Sequence, residues 1–237
     1  MNTARAGGIA LSVFAIATMA WFALELAPPL LGYADTDDPA VSLSFLRDHS
    51  VIYALSGLAL FTMAVSILVG AIAMGDWLTP PGSLAGRVSV AIGFGSALFF
   101  FGHGVLRSSV GPLLHIDSLD QAWGESAYLS IQMSGLHGFA QGGIVAFCTW
   151  AVVVSVAGVR GRSIPRWIAV LAVLPAFRLG VSLLGPVGVL ETLDGLWPFA
   201  MASIVGSMLW PLGLGLWLAF AGHPGRTPEP VMTSGSP

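Results

Sequence analysis

Apolar residues along this chain gather into six long runs separated by short polar stretches. The runs cover residues 7–26, 51–74, 87–106, 128–157, 167–184 and 196–221. A helix needs about 20 apolar residues to cross the hydrocarbon core of a bilayer, with a range of about 17–25. The runs lack the alternation of a transmembrane barrel strand, and an open strand edge would leave backbone groups unsatisfied in lipid. The pattern therefore predicts an all-α polytopic membrane bundle of about six transmembrane helices. It forms one domain over residues 1–222. The tail at 223–237 is rich in Pro, Gly, Ser and Thr and is expected to be disordered.

The first run is longer than the apolar core of a secretory signal peptide and has no A-x-A site at a suitable place. It reads as a retained span. Its far end is closed by Pro28 and Pro29.

Composition sharpens this picture. Of 237 residues, 55% are hydrophobic and 9% are charged, against about 25% charged in a soluble domain. Such a chain needs the lipid bilayer as part of its solvent. With no basic stripe and a net charge of −3, a nucleic-acid partner is not expected. There is no lysine, which excludes Schiff-base chemistry and a P-loop phosphate contact. The single cysteine, Cys148, excludes an intrachain disulfide and a thiolate metal cluster, and it reads as a small core or lipid-facing residue.

Arginine placement sets the expected direction. With the N-terminus inside, the inner segments hold Arg5, Arg87, Arg160, Arg162, Arg166 and Arg226, and the outer loops hold only Arg47 and Arg107. Both ends then face the cytoplasm. Trp77, Trp123, Tyr128, Trp167 and Trp197 fall near span ends, as interfacial aromatics do. The largest outer segments, 27–50 and 107–127, are too short for a soluble domain. Stretches 110–114 and 119–123 are apolar enough to lie on the membrane surface. The expected location is the cell membrane, with arginine-only, Gly- and Ala-rich usage suggesting a bacterial inner membrane.

Several apparent motifs are helix-packing features. Ser134, Gly138 and Gly142 recur every four residues, as do Ser89, Gly93 and Ala97. Small residues at this spacing let helix backbones approach within a membrane. The first stripe could equally serve a homo-oligomer or a partner membrane subunit. Pro175 and Pro211 should bend their helices. The glycines interrupt apolar helices and do not follow a strand, so a dinucleotide fingerprint fails its context test.

Candidate chemistry rests on polar residues inside the spans. A central arginine costs about 2.5–3.5 kcal/mol on insertion scales, so such residues are rarely accidental. Glu25, His103, Arg107, Gln132, His137 and Arg178 all fall in the outer half of the expected topology. His103 and Arg107 are four apart and share a helix face, as do His137 and Gln141. One reading is a buried polar network in which Glu25 neutralises Arg178 or Arg107, with Glu25–Arg178 the first pair to expect. The other is an outer-half polar cavity that binds or transports a small anionic, polar or lipid-like ligand.

Other chemistries are less well supported. His103 and His137 could ligate a haem, or the cluster could hold a quinone, but the two histidines differ in expected depth by about 8 Å. Gln132-Met133-Ser134-Gly135 is similar to the serine motif of rhomboid proteases, yet Gln132 replaces the first glycine and the sixth span carries no histidine. The five histidines form no HExxH pair, so no metal site is expected. No catalytic residue stands out.

The segment Ser44-Phe45-Leu46-Arg47-Asp48-His49-Ser50-Val51-Ile52-Tyr53, entering the second span after a short arginine-bearing start and a first span, resembles bacterial six-helix integral membrane proteins grouped as a domain of unknown function. The resemblance covers about the first third of the chain. It implies a six-span bundle and carries no site residue across.

Overall fold

The computed structural model describes residues 3–31, 39–78, 83–114, 121–184 and 197–220. The expected tail at 223–237 lies outside them. The described residues are helical, with no strand among them. Six helices are long and apolar enough to cross a membrane: Thr3–Pro28, Ser50–Trp77, Leu84–Ser109, Gly138–Arg160, Arg166–Leu183 and Ala202–Phe220. The chain is an all-α, multi-pass bundle of the kind that lipid requires.

The spans belong to α1 (Thr3–Leu30), α3 (Ser50–Trp77), α4 (Leu84–Leu114), α6 (Gln141–Arg160), α8 (Val173–Leu184) and α9 (Trp197–Phe220). Short helices α2 (Pro39–Asp48) and α5 (Gln121–Gln132) pack on each other and on α4 at the end of the bundle that carries Glu25. Helix α7 (Arg166–Leu171) leads into α8.

The spans close into a ring. Helix α1 packs on α3 and α9, α3 on α4, α4 on α6, α6 on α8, and α8 on α9. Leu58, Val65, Phe101, Val170 and Val173 are exposed on the outside. Exposed apolar surface on this scale calls for lipid. The tightest seam joins α1 to α9. A Cβ added at Gly8 would lie 2.6 Å from the Gly215 carbonyl oxygen and 2.6 Å from the Ala219 nitrogen. Only glycine permits backbones this close.

The core at the Arg162 end is aromatic. Trp150 meets Trp210 edge-on at 5.4 Å between ring centroids, Phe147 lies 6.1 Å from Trp210, and Phe14 lies 4.9 Å from Phe147. Both indoles are wholly buried, and both N–H groups are satisfied. Trp150 donates to Ser89 Oγ and Trp210 to Ser155 Oγ, each at 2.9 Å. Ser89 of the small-residue stripe thus serves an indole as well as close packing.

Two departures from regular helix stand out. Residues Met133–Ala140 form two turns of π-helix between α5 and α6, where the sequence predicts one uninterrupted span. Gly135 and Gly138 supply backbone freedom there. The second break lies at Ala172, between α7 and α8. Pro175 has no N–H to offer the Leu171 carbonyl, so the ladder is interrupted one turn before the proline. Ala172 N instead bonds Ala169 O at 3.1 Å. Pro211 sits inside an unbroken α9. The expected surface stretch 110–114 continues α4 instead of leaving it.

Candidate functional site

Glu25 stands near the end of α1, one turn beyond Trp21. The side chains of an α-helix lean toward its N-terminus. Glu25 therefore leans back into the bundle, as does Arg107 near the corresponding end of α4. The two meet: Arg107 Nη2 lies 2.7 Å from Glu25 Oε2. Arg107 is 5% exposed and Glu25 28% exposed. The other carboxylate oxygen accepts a bond from Ser56 Oγ at 3.0 Å. Tyr53, one turn from Ser56 on α3, places its ring 5.1 Å from the Arg107 guanidinium carbon. Three helices are thus joined around one buried cation.

His103 lies one turn below Arg107 and is wholly buried. Arg107 Nε–H donates to His103 Nε2 at 3.4 Å. The Trp21 ring stands edge-on to the imidazole, with centroids 6.0 Å apart. Gly135 covers the other side; a Cβ there would lie 3.3 Å from His103 Cδ2. The π-helical turns therefore place their smallest residue against the imidazole.

Arg178 is not part of this cluster. The sequence made Glu25–Arg178 the first pair to expect, and the structure pairs Glu25 with Arg107. Arg178 projects from α8, which begins at Val173, so its side chain leans back toward that end and the middle of the bundle. It forms no ion pair among the described residues.

Arg178 and Glu25 nonetheless border one space. A cavity of about 300 Å³ lies inside the ring and is lined from all six spans. On α1 its lining runs from Phe14 through Thr18, Trp21 and Phe22 to Glu25. Eleven residues of helix rise make it about 16 Å tall. Phe14, Phe100 and Phe147 also line it, so the cavity adjoins the aromatic core. Most of the remaining wall is apolar, with Ile144 on α6 across from α1 and Ile204 and Met208 on α9 beside it. Gln141 lines the cavity and is exposed. Among the described residues the π-helical turns pack on α4, α5 and α6, whereas α8 packs on α6, α7 and α9.

The six expected site residues thus divide three ways. Glu25, His103 and Arg107 come together. Arg178 stands apart on the cavity wall. Gln132 and His137 have their backbones in α5 and the π-helical turns, and their side chains lie outside the described residues. Sequence reading missed Ser56, Tyr53 and Trp21. Their signal was present as polar or amphipathic groups within two turns of a span end, near the depth of Glu25. Cys148 is buried, as expected, but it also lines the cavity. Among the described residues no group of His, Cys, Asp and Glu could hold a metal ion.

No protein-family model, no curated protein and no solved structure matches the chain.

Proposed function

We propose that this protein binds an amphiphilic, lipid-like ligand in the ring cavity, with an anionic headgroup held by Arg178. The observation that carries the reading is one guanidinium, without a carboxylate partner among the described residues, on the wall of an otherwise apolar cavity. An unpaired charge in a membrane interior is costly, and an anionic ligand would offset that cost. A cavity of this volume is at the lower end of the about 300–1,000 Å³ typical of small-ligand sites. In this reading the arginine bias puts the cavity in the outer half of the membrane with both chain ends in the cytoplasm, and the arginine-only, Gly- and Ala-rich usage points to a bacterial inner membrane. The cavity's flank at Gln141 then faces the outer leaflet, a lateral route suited to a ligand already dissolved in lipid.

The reading favours binding or carriage over a redox role. His103 Nε2 is engaged by Arg107, so a haem iron would have to displace that contact. A second reading, contact with a partner subunit or another copy of the chain, draws on Ser134 and Gly138. Both are exposed, and nothing lies within 4 Å of a Cβ added at Gly138. Gly142 is already covered by the Phe99 ring of the same chain.

The test is mass spectrometry and an absorption spectrum of the protein purified in nanodiscs, as wild type and as Arg178→Gln. An anionic amphiphile retained by the wild type and lost from a folded Arg178→Gln protein supports the reading. A Soret band would replace it with a haem site. Equal retention by both proteins would remove Arg178 from the site.

A further inference from the structure

We propose that the groove between α6 and the α7–α8 pair binds an anionic phospholipid, with an acyl chain in the groove and the phosphate on Arg160 and Arg166. The proposal is independent of the ring cavity. The groove is a separate space of about 380 Å³. Val152, Val156 and Arg160 line it from α6, and Ala169, Val173 and Ala176 from the facing helices. Val156 and Val173 are exposed, so the groove opens toward lipid.

Its walls suit a hydrocarbon chain. The lining on α6 runs from Val152 to Arg160, which makes the groove about 12 Å long. Short alanine side chains on the facing wall keep the space open. The Ser155 hydroxyl, also on the wall, already accepts the Trp210 N–H.

Both walls end in an arginine at the same end of the bundle. Arg160 lines the groove in the last turn of α6. Arg166 opens α7 three residues before Ala169, hence on the face that Ala169 presents to the groove. Neither guanidinium has a hydrogen bond or an ion pair with a described residue, and nor has Arg162 in the turn between them. The turn holds Arg162 at φ 54°, a left-handed conformation that helix ends ordinarily give to glycine. A third cation is thus kept where a side chain is strained.

The described residues at this end hold Arg5, Arg87, Arg160, Arg162 and Arg166 against one acid, Asp76. A positive end alone is the ordinary arginine bias of membrane topology. Two unpaired guanidiniums over an apolar groove go beyond it, because they match a phosphate above an acyl chain. Basic pockets between transmembrane helices bind anionic lipid headgroups, and arginine engages phosphate through two parallel bonds. A zwitterionic phospholipid offers the same phosphate but brings an ammonium among the arginines, so the net anionic lipid is favoured.

Dioleoylphosphatidylglycerol is the probe and dioleoylphosphatidylcholine the comparison, each titrated into the full chain in detergent and counted by native mass spectrometry. Phosphatidylglycerol should bind the wild type more tightly. Arg160→Gln should weaken its binding about tenfold, the loss of one hydrogen bond between charged groups. Ala176→Phe fills the groove without changing charge and should weaken binding as well. Arg5→Gln removes a charge from the same end on α1, which packs on α3 and α9, and should leave binding unchanged. The inference falls if Arg160→Gln binds like the wild type, or if phosphatidylcholine binds as tightly as phosphatidylglycerol. It falls too if Arg5→Gln loses as much as Arg160→Gln, which would mean diffuse attraction to a positive surface. Loss that follows Arg178→Gln and spares Arg160→Gln would put the lipid in the ring cavity instead. Arg160 and Ala176 are exposed, so both variants should fold. If Ala176→Phe does not, Arg160→Gln against Arg5→Gln decides.

Discussion

Glu25 and Arg107 lie 82 positions apart in sequence and 2.7 Å apart in space. In the ring, α1 is followed by α3 and α4 on one side and by α9 and α8 on the other. Arg107 on α4 and Arg178 on α8 are therefore both two helices from Glu25. The choice between them is made by α3, whose Ser56 completes the carboxylate and whose Tyr53 faces the guanidinium.

Removing that carboxylate should destabilise the fold. Glu25→Ala leaves Arg107 buried and unpaired, a change worth about 3–5 kcal/mol in a fully buried pair. The partial exposure of Glu25 places the loss at the lower end. Glu25→Gln keeps an acceptor and should cost less. Thermal unfolding in detergent measures both. In the double variant Glu25→Gln, Arg107→Gln, recovery of part of the loss would report the coupling.

Ser89→Ala should be costly for so small a change. It removes the acceptor for the Trp150 N–H in a site with no access to solvent. An unmet buried donor costs about 1–3 kcal/mol. Trp150→Phe in the Ser89→Ala background removes the orphan, and the midpoint of unfolding should recover in part.

Three glycines should respond in different ways. Gly215→Ala places a Cβ 2.7 Å from the Gly8 carbonyl oxygen and forces α1 and α9 apart. Folded yield should drop sharply. Gly138→Ala has open space and should leave yield and unfolding temperature unchanged. Gly135→Ala falls between, because its Cβ presses on His103 at 3.3 Å, and the imidazole must shift by a few tenths of an ångström. Size-exclusion yields of the three variants give the order.

Gln141→Trp tests the flank of the cavity. The side chain is exposed, so the fold should tolerate it. If the ligand enters there, stopped-flow exchange of oleate, an anionic amphiphile, should slow in both directions while affinity stays unchanged. Unaltered rates would mean a different entrance.

The spans were legible in the sequence because lipid demands one property, about 20 apolar residues in a row, and that property is one-dimensional. Pro175 announced the break at Ala172 for a similar reason: a missing N–H acts on the residue four positions earlier. The π-helical turns at Met133–Ala140 were not legible, since an apolar run has the same composition whether its ladder closes over four residues or five. The polar cluster was half legible. Depth placed Glu25, His103 and Arg107 at one level, and the i, i+4 spacing joined the last two. The partner of Glu25 depended on which helix stands beside which. Two arginines at similar depth left that open. Trp21 was invisible as a site residue because a tryptophan near a span end is ordinarily an interfacial anchor.

The aromatic core of Trp150, Trp210, Phe147 and Phe14 has a consequence for bioenergetics. A bilayer that stores energy as an ion gradient cannot tolerate a continuous file of water through any of its proteins. The indoles are held by Ser89 and Ser155, and the two rings pack edge-on and fully buried. Two fully buried indoles with satisfied N–H groups leave no free polar group in that core around which such a file could form.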